Sequence, residues 1–284
     1  MTWLILTIVS AIAGALTRVL QKILLTDEHS NPVAFAFVFQ LLVAGMFLSY
    51  SLLSKTLEIP NLYALIPNLI ITSLFYCVGN LFIFHAFKKA EASEVSIIFA
   101  TSAIWSAVSA VLFLNETLDL TKVVGILTVF AGVVVTTMKK SRWFLSLGHI
   151  YALLGALLFG LAFTNDAFIL GSFNSVSSYM ILAFSLPAVT SILIKPRAII
   201  EVGHFLKIKT LLKVFLCGVF YALSAVAVFT AYKIGGKASI VSSIQQTSII
   251  FTVLMGYVFL GEKDNLKNKV IGVLLAFGGV ILLI

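Results

Sequence analysis

Few polar side chains interrupt the apolar stretches of this chain, and those few are the residues able to do chemistry. Tyr76 and Tyr221 each fall near the middle of an apolar run. Two phenol rings flanking a cavity could stack on an aromatic cargo or hold a cation on their faces; the plainer alternative is helix packing with the hydroxyl bonded to a carbonyl. Asn80 follows Tyr76 by one helical turn on the same face. Thr101, Trp105 and Ser224, with the adjacent pair Gln245 and Gln246, complete a set of neutral hydrogen-bonding candidates for solute binding. Neighbouring glutamines on a helix point about 100° apart, so one can face a cavity while the other bonds an adjacent helix. Polar groups at membrane depth are costly to bury, which makes them default functional candidates.

Ionisable candidates are fewer. Asp166, in "FTNDAF", is the one carboxylate well inside an apolar run, and it could carry a coupling proton or bind an amine. It lies about three residues from the run's end, at about 1.5 Å per residue, so a solvated or Lys-paired interfacial carboxylate is the competing reading. His85 is the second candidate for carrying a coupling proton, and it too is close to its run's end. Arg18 and Lys22, one turn apart, read as snorkelling to the interface. Cys77 and Cys217 fall inside apolar runs and read as buried packing, with no disulfide framework. The sequence contains no HExxH, P-loop or GxSxG pattern. No catalytic residue, metal site or cofactor is therefore expected.

The elements that must position these residues are membrane helices. With 61% hydrophobic and 11% charged residues in 284, the chain carries more apolar surface than one globular core could hide. A hydrocarbon layer of about 30 Å needs about 20 apolar residues per helix. Ten such runs are expected, near residues 2 to 25, 32 to 53, 63 to 87, 94 to 114, 121 to 138, 148 to 170, 175 to 194, 210 to 233, 238 to 260 and 268 to 284. They are apolar on every side, whereas barrel strands would alternate, so the fold class is all-α. Asp27, Ser30 or Asn31 before Pro32 can cap the second helix. The stretch "KPRAIIEVGHFLKIK" mixes apolar and basic residues as an interfacial helix would, and Pro187 is placed to kink the seventh run. No cleavable leader is expected, so the first helix is retained.

The chain also says things twice. "AVLFLNETLDL" at 110 to 120 is echoed by "GYVFLGEKDNL" at 256 to 266. Shifting the sequence along itself places Phe75 and Tyr76 over Phe220 and Tyr221, and Phe84, Ala86 and Lys88 over Phe229, Ala231 and Lys233. One slip then aligns "ASEVSIIFATSAI" (92 to 104) with "ASIVSSIQQTSII" (238 to 250) and Glu116 with Glu262. The duplicated unit is five helices, over residues 1–140 and 147–284. Five is odd, so two copies joined by a short linker run through the bilayer in opposite senses, as two inverted five-helix repeats with a shared site near the midplane. Asn115 and Gly261 suit left-handed helix ends. Glu116 and Glu262 are expected to be structural, accepting bonds from the amides that open the next helix.

These repeats, with "FLNE" and "FLGE" followed by "VVGILTVFAGVVV" and "VIGVLLAFGGVIL", resemble the EamA-type domain of the drug/metabolite transporter superfamily over nearly the whole chain. Many members have a proline about a dozen residues before the glutamate; Ile104 and Ile250 stand there instead. The resemblance implies a ten-helix secondary transporter in a prokaryotic plasma membrane, working by alternating access on an amino acid or related metabolite. Export is the family-level direction, with uptake as the alternative. Its partners are then a small-molecule substrate, protons and the lipid bilayer. The small four-helix exporters of the superfamily use a glutamate in their first helix, where this chain has "VSAIAGAL".

The formal charge of +8 is scattered between runs without a recognition segment for nucleic acid, and reads as topology. With the amino terminus inside, only Lys55, Lys122, Lys233 and Lys237 of the 19 Lys and Arg would lie on the inner side. The positive-inside rule therefore favours both termini outside, against the usual family orientation. A membrane scaffold, or a translocator of lipid-linked molecules, is the rival from another class.

Overall fold

The computed structural model describes residues 2–114, 119–139, 142–143, 145–234 and 247–283. The described residues are helical apart from connecting loops and a two-residue ribbon that pairs Met138–Lys139 (β1) with Arg142–Trp143 (β2). The helices are α1 (Thr2–Thr26), α2 (Pro32–Leu53), α3 (Ile66–Lys89), α4 (Ala92–Phe99), α5 (Ser102–Leu114) and α6 (Leu120–Thr137) in the first half. The second half contributes α7 (Leu147–Leu170), α8 (Val176–Ile194), a short α9 (Val202–Leu206), α10 (Ile208–Lys233), α11 (Ser248–Met255, continued as a π-turn over Gly256–Leu260) and α12 (Leu266–Leu283). Among the described residues, eight helical stretches are long and apolar enough to cross a membrane. The expected run from 238 to 260 is described only from Thr247 onward, where Ser248–Leu260 forms a shorter apolar helix.

Helix ends follow local chemistry. Asn31 accepts the Val33 N–H at 2.8 Å, with Pro32 at the first position. Asp119 accepts from Lys122 N at 2.8 Å, and Ser146 forms a capping box with His149 at the start of α7. Gly261 closes α11 at φ 69°, a left-handed conformation that glycine adopts without strain. The run from 94 to 114 is not one continuous helix. It breaks at Ala100 and Thr101, where Ala100 N bonds Ile97 O, Thr101 N bonds Ile98 O and Ala103 N bonds Ala100 O. These tighter three-residue turns interrupt the helix without the proline that the family often carries.

The packing exchanges partners between halves. α1 packs along α10 and α3 along α7, while α2 pairs with α8 and α6 with α12. Small residues allow the last pairing: a Cβ on Gly132 would stand 2.7 Å from Gly272 O, and one on Gly279 would stand 2.6 Å from Val129 N. The core beside the exchanged helices is aromatic. Phe35 stacks on Phe39 and meets Phe84 edge-on at 4.9 Å, and Phe205 of α9 is fully buried against Phe35. That contact anchors the basic segment before α10 to the body of the protein.

The basic loops gather on one face. His204 lies 3.5 Å from Asp27, Lys88 Nζ donates to Ser30 O at 2.7 Å, and Asn265 donates to Met138 O at 2.7 Å. Lys22 donates to Phe87 O and Ala90 O at 2.6 and 2.7 Å, closing the carbonyl end of α3. It holds a helix end rather than reaching for the interface as the sequence suggested.

Candidate functional site

Between the exchanged helices lies a cavity of about 430 Å³ with walls from α1, α2, α3, α4, α7, α8, α10 and α11. Its lining is mostly apolar and aromatic, with a few polar groups, the pattern of a small-molecule site. Phe159 forms one wall, edge-on to both Tyr76 and Phe99 at 5.2 Å. Gly79 sits beside it: a Cβ there would come 3.1 Å from the Phe159 ring.

Asp166 is the chemical centre of this cavity. Its Oδ1 accepts the Tyr179 hydroxyl at 2.5 Å and its Oδ2 accepts the Tyr76 hydroxyl. Three helices, α7, α8 and α3, thus meet at one carboxylate. The neighbouring Asn165 fixes the register: its Nδ2 donates to Asn68 O at 2.8 Å and Thr72 Oγ1 at 2.6 Å, and its Oδ1 accepts from Asn68 Nδ2 at 2.6 Å. With Asn165 locked against α3, the next residue must turn toward the cavity. No lysine pairs with Asp166 among the described residues, so the Lys-paired reading gives way to a tyrosine-bound carboxylate.

The expected site residues divide. Tyr76, Asn80, Tyr221, Ser224 and Asp166 all line the cavity. Asn80 has no side-chain hydrogen bond to another described residue, whereas Ser224 Oγ donates to Ser10 O at 2.8 Å and Ser10 Oγ donates to Ser224 O at 2.6 Å. Tyr221 is held edge-on by Phe184 and Phe39 at 5.1 and 5.8 Å. Thr101 does not line the cavity; it is buried and donates to Ile98 O at 2.8 Å, bonding within the helix break. Trp105 is also outside, packed over Gly160, where a Cβ would meet the Trp105 Cβ at 2.5 Å. His85 faces a separate polar recess on the basic face, its Nδ1 2.7 Å from Leu81 O. Gln245, Gln246, Asn115 and Glu116 lie outside the described residues.

Glu262 does cap a helix, though not the one that follows it. Its carboxylate accepts Ala92 N at 2.6 Å, Ser93 N at 3.0 Å and the Ser93 hydroxyl at 2.5 Å. The end of α11 therefore grips the start of α4 across the halves. Glu91 beside it pairs with Lys269, and Glu94 with His149 at 3.0 Å. Burial pushes the Glu91 carboxyl upward, and the Lys269 ammonium opposes that shift.

Sequence reasoning missed Gln21 and Tyr179 and read Arg18 as snorkelling; all three line the cavity. The signal was present: Gly14, Thr17, Arg18 and Gln21 recur at helical spacing, marking one polar, small-residue face of an apolar helix. The expected neutral chamber is thus corrected to one that holds an arginine and a carboxylate. Among the described residues, no group of three or more His, Cys, Asp or Glu is placed to hold a metal.

No curated protein matches the chain. A solved crystal structure superposes with a TM-score of 0.59 at 17% identity, over 96% of this chain and 95% of that one, which establishes a shared fold. The family model for EamA-like transporters matches twice, at residues 1–138 and 146–284, the two halves whose helices exchange partners around the cavity. The chain belongs to the EamA-like transporter family, within the drug/metabolite transporter superfamily, and is an integral membrane protein.

Proposed function

We propose that the protein is a ten-helix secondary transporter, built of two inverted repeats over 1–140 and 147–284, that moves an amino acid or related small metabolite by alternating access. The observation that carries this is the cavity itself: both halves contribute walls to one aromatic chamber, with Tyr76 and Tyr221 near the middle of their helices. Repeat-based carriers place solute sites there, beside interrupted helices, and the break at Ala100 and Thr101 lies in a helix whose first part lines the chamber. Tyr76, Tyr221 and Asn80 orient the cargo, and Asp166 receives its amine or a coupling proton. Two phenols hold the carboxylate in place, and a proton or ammonium arriving at it displaces or weakens those bonds. Export follows from the family resemblance, and the basic face carrying the 195–213 segment is the inner one, which leaves both termini outside.

The test is thermal unfolding of detergent-purified protein against cationic, zwitterionic, anionic and neutral metabolites, followed by flux of the stabilising class in proteoliposomes. A ligand that binds only the folded state raises the midpoint with concentration. Stabilisation by one class, weakened by Tyr76→Phe and Asp166→Asn and accompanied by flux, is expected. A stabilising ligand that is never transported, or whose effect survives both substitutions, sinks the proposal in favour of a scaffold or a different site.

A further inference from the structure

Arg18, which lines the same cavity as the tyrosine-bound carboxylate but on α1, presents an imbalance. A guanidinium carries five N–H donors, and here its hydrogen bonding to described residues is a single contact, NH1 to Ser248 Oγ at 3.0 Å. No carboxylate stands within ion-pair distance among the described residues. Asp166 is bound to two tyrosines, Glu91 to Lys269, and Glu262 to the start of α4. Lys22, one turn along, is already committed to the α3 carbonyls. A cation held at membrane depth by one neutral hydroxyl is incompletely compensated.

A second observation falls on the same wall. Ser96 on α4 is 2% exposed and lines the cavity, and its Oγ has no hydrogen-bond partner among the described residues. Gln21, one turn beyond Thr17 on the Arg18 helix, also lines the cavity, with no side-chain hydrogen bond to another described residue. The helices bearing Arg18, Ser96 and Ser248 pack against one another, so these donors converge on one region.

We infer that Arg18, with Ser96 and Gln21, forms a subsite for the carboxylate of the transported molecule. One guanidinium balances one negative charge, and its planar fork matches the two oxygens of a carboxylate; a phosphate dianion would leave a charge over. The inference rests on the transport proposal and makes the cargo a molecule with an anionic head, an apolar or aromatic body that suits the phenylalanine walls, and an optional amine for Asp166.

The experiment uses four probes that share a phenyl body and differ in charge, 3-phenylpropionate, 3-phenylpropanamide, phenethylamine and phenylalanine, with inorganic phosphate as a fifth. Thermal unfolding is recorded for the parent, Arg18→Gln, Arg18→Lys and Ser96→Ala. The carboxylate probes are expected to stabilise the parent and to bind Arg18→Gln at least about tenfold more weakly, with partial retention in Arg18→Lys, while the amide is indifferent to all three changes. Without ligand, Arg18→Gln is expected to unfold at or above the parent temperature, since an incompletely compensated cation is removed; a structural arginine would lower it.

Carboxylate binding that is unchanged in Arg18→Gln overturns the subsite, as does phosphate binding that surpasses the carboxylates. If phenethylamine still stabilises the protein in an Asp166-dependent way, the transport proposal survives that failure. If no probe of any charge stabilises the parent, both fall.

Discussion

The same shift that superposes Tyr76 on Tyr221 superposes Gln21 on Asp166, so each half offers a third-helix tyrosine to the first helix of the other half. In the α3–α7 interface the tyrosine finds a carboxylate, and a second phenol from α8 completes the grip. In the α1–α10 interface the corresponding residue is an amide, and Tyr221 is positioned by the rings of Phe39 and Phe184 instead. The architecture is nearly twofold, but the chemistry is not. The α3–α7 interface carries a titratable carboxylate where the α1–α10 interface carries an amide, so under the proposed mechanism these two interfaces cannot share proton coupling equally, and it falls to α3 and α7.

The sharpest way to break this asymmetry is Asp166→Asn, which gives both interfaces an amide. In proteoliposomes with a pH gradient, concentrative accumulation of the stabilising ligand is expected to fall to background while exchange between equal concentrations on both sides persists. Accumulation at parental levels would show that the asymmetry has nothing to do with coupling. Tyr76→Phe and Tyr221→Phe form the next contrast. Removing a hydrogen bond to a charged group destabilises by about 1.5–3 kcal/mol. Tyr221 has no hydroxyl bond to another described residue, so its loss should stay within about 0.5 kcal/mol. Equal melting shifts for the two variants would mean that the carboxylate is not held as described.

Much of this was legible in the sequence. Apolar runs of membrane length, the doubled "FLNE" and "FLGE" ends and the mid-run tyrosines report properties of single segments, and hydropathy and repetition are local signals. Asp166 could be singled out as a rare carboxylate, but its partners could not. Tyr179 stands at the start of a helix in the sequence and reaches Asp166 only because α8 begins beside the end of α7. Arg18 looked like a snorkelling residue because its distance from the helix end permits that; only the packing of α1 against α10 and α11 turns it inward. Thr101 failed for the opposite reason. A hydroxyl in an apolar run looks available for cargo, yet the break in its own helix takes it as a donor to Ile98 O. Tertiary partners decide which polar groups are left over, and one sequence does not name them.

Ser224 sharpens the comparison on a finer scale. It lines the cavity and was a candidate ligand, but its hydroxyl and carbonyl exchange bonds with those of Ser10. On the other side of the molecule Asn165 exchanges bonds with Asn68 and reaches Thr72 as well. Each exchanged interface therefore has its own polar clasp, and the carboxylate side has the stronger one. Interhelical hydrogen bonds in membranes average about 0.6 kcal/mol and reach about 1.7, so Ser224→Ala should lower stability by about 1 kcal/mol or less. Asn165→Ala removes three interhelical hydrogen bonds, to Asn68 O and Thr72 Oγ1 and from Asn68 Nδ2, and should lower it by about 2–3 kcal/mol. Ligand affinity separates clasp from ligand: Ser224→Ala should change it by less than about threefold, a loss well below that of a direct hydrogen bond to cargo. A tenfold loss of affinity without loss of stability would make Ser224 a cargo contact and give the α1–α10 interface a binding role of its own.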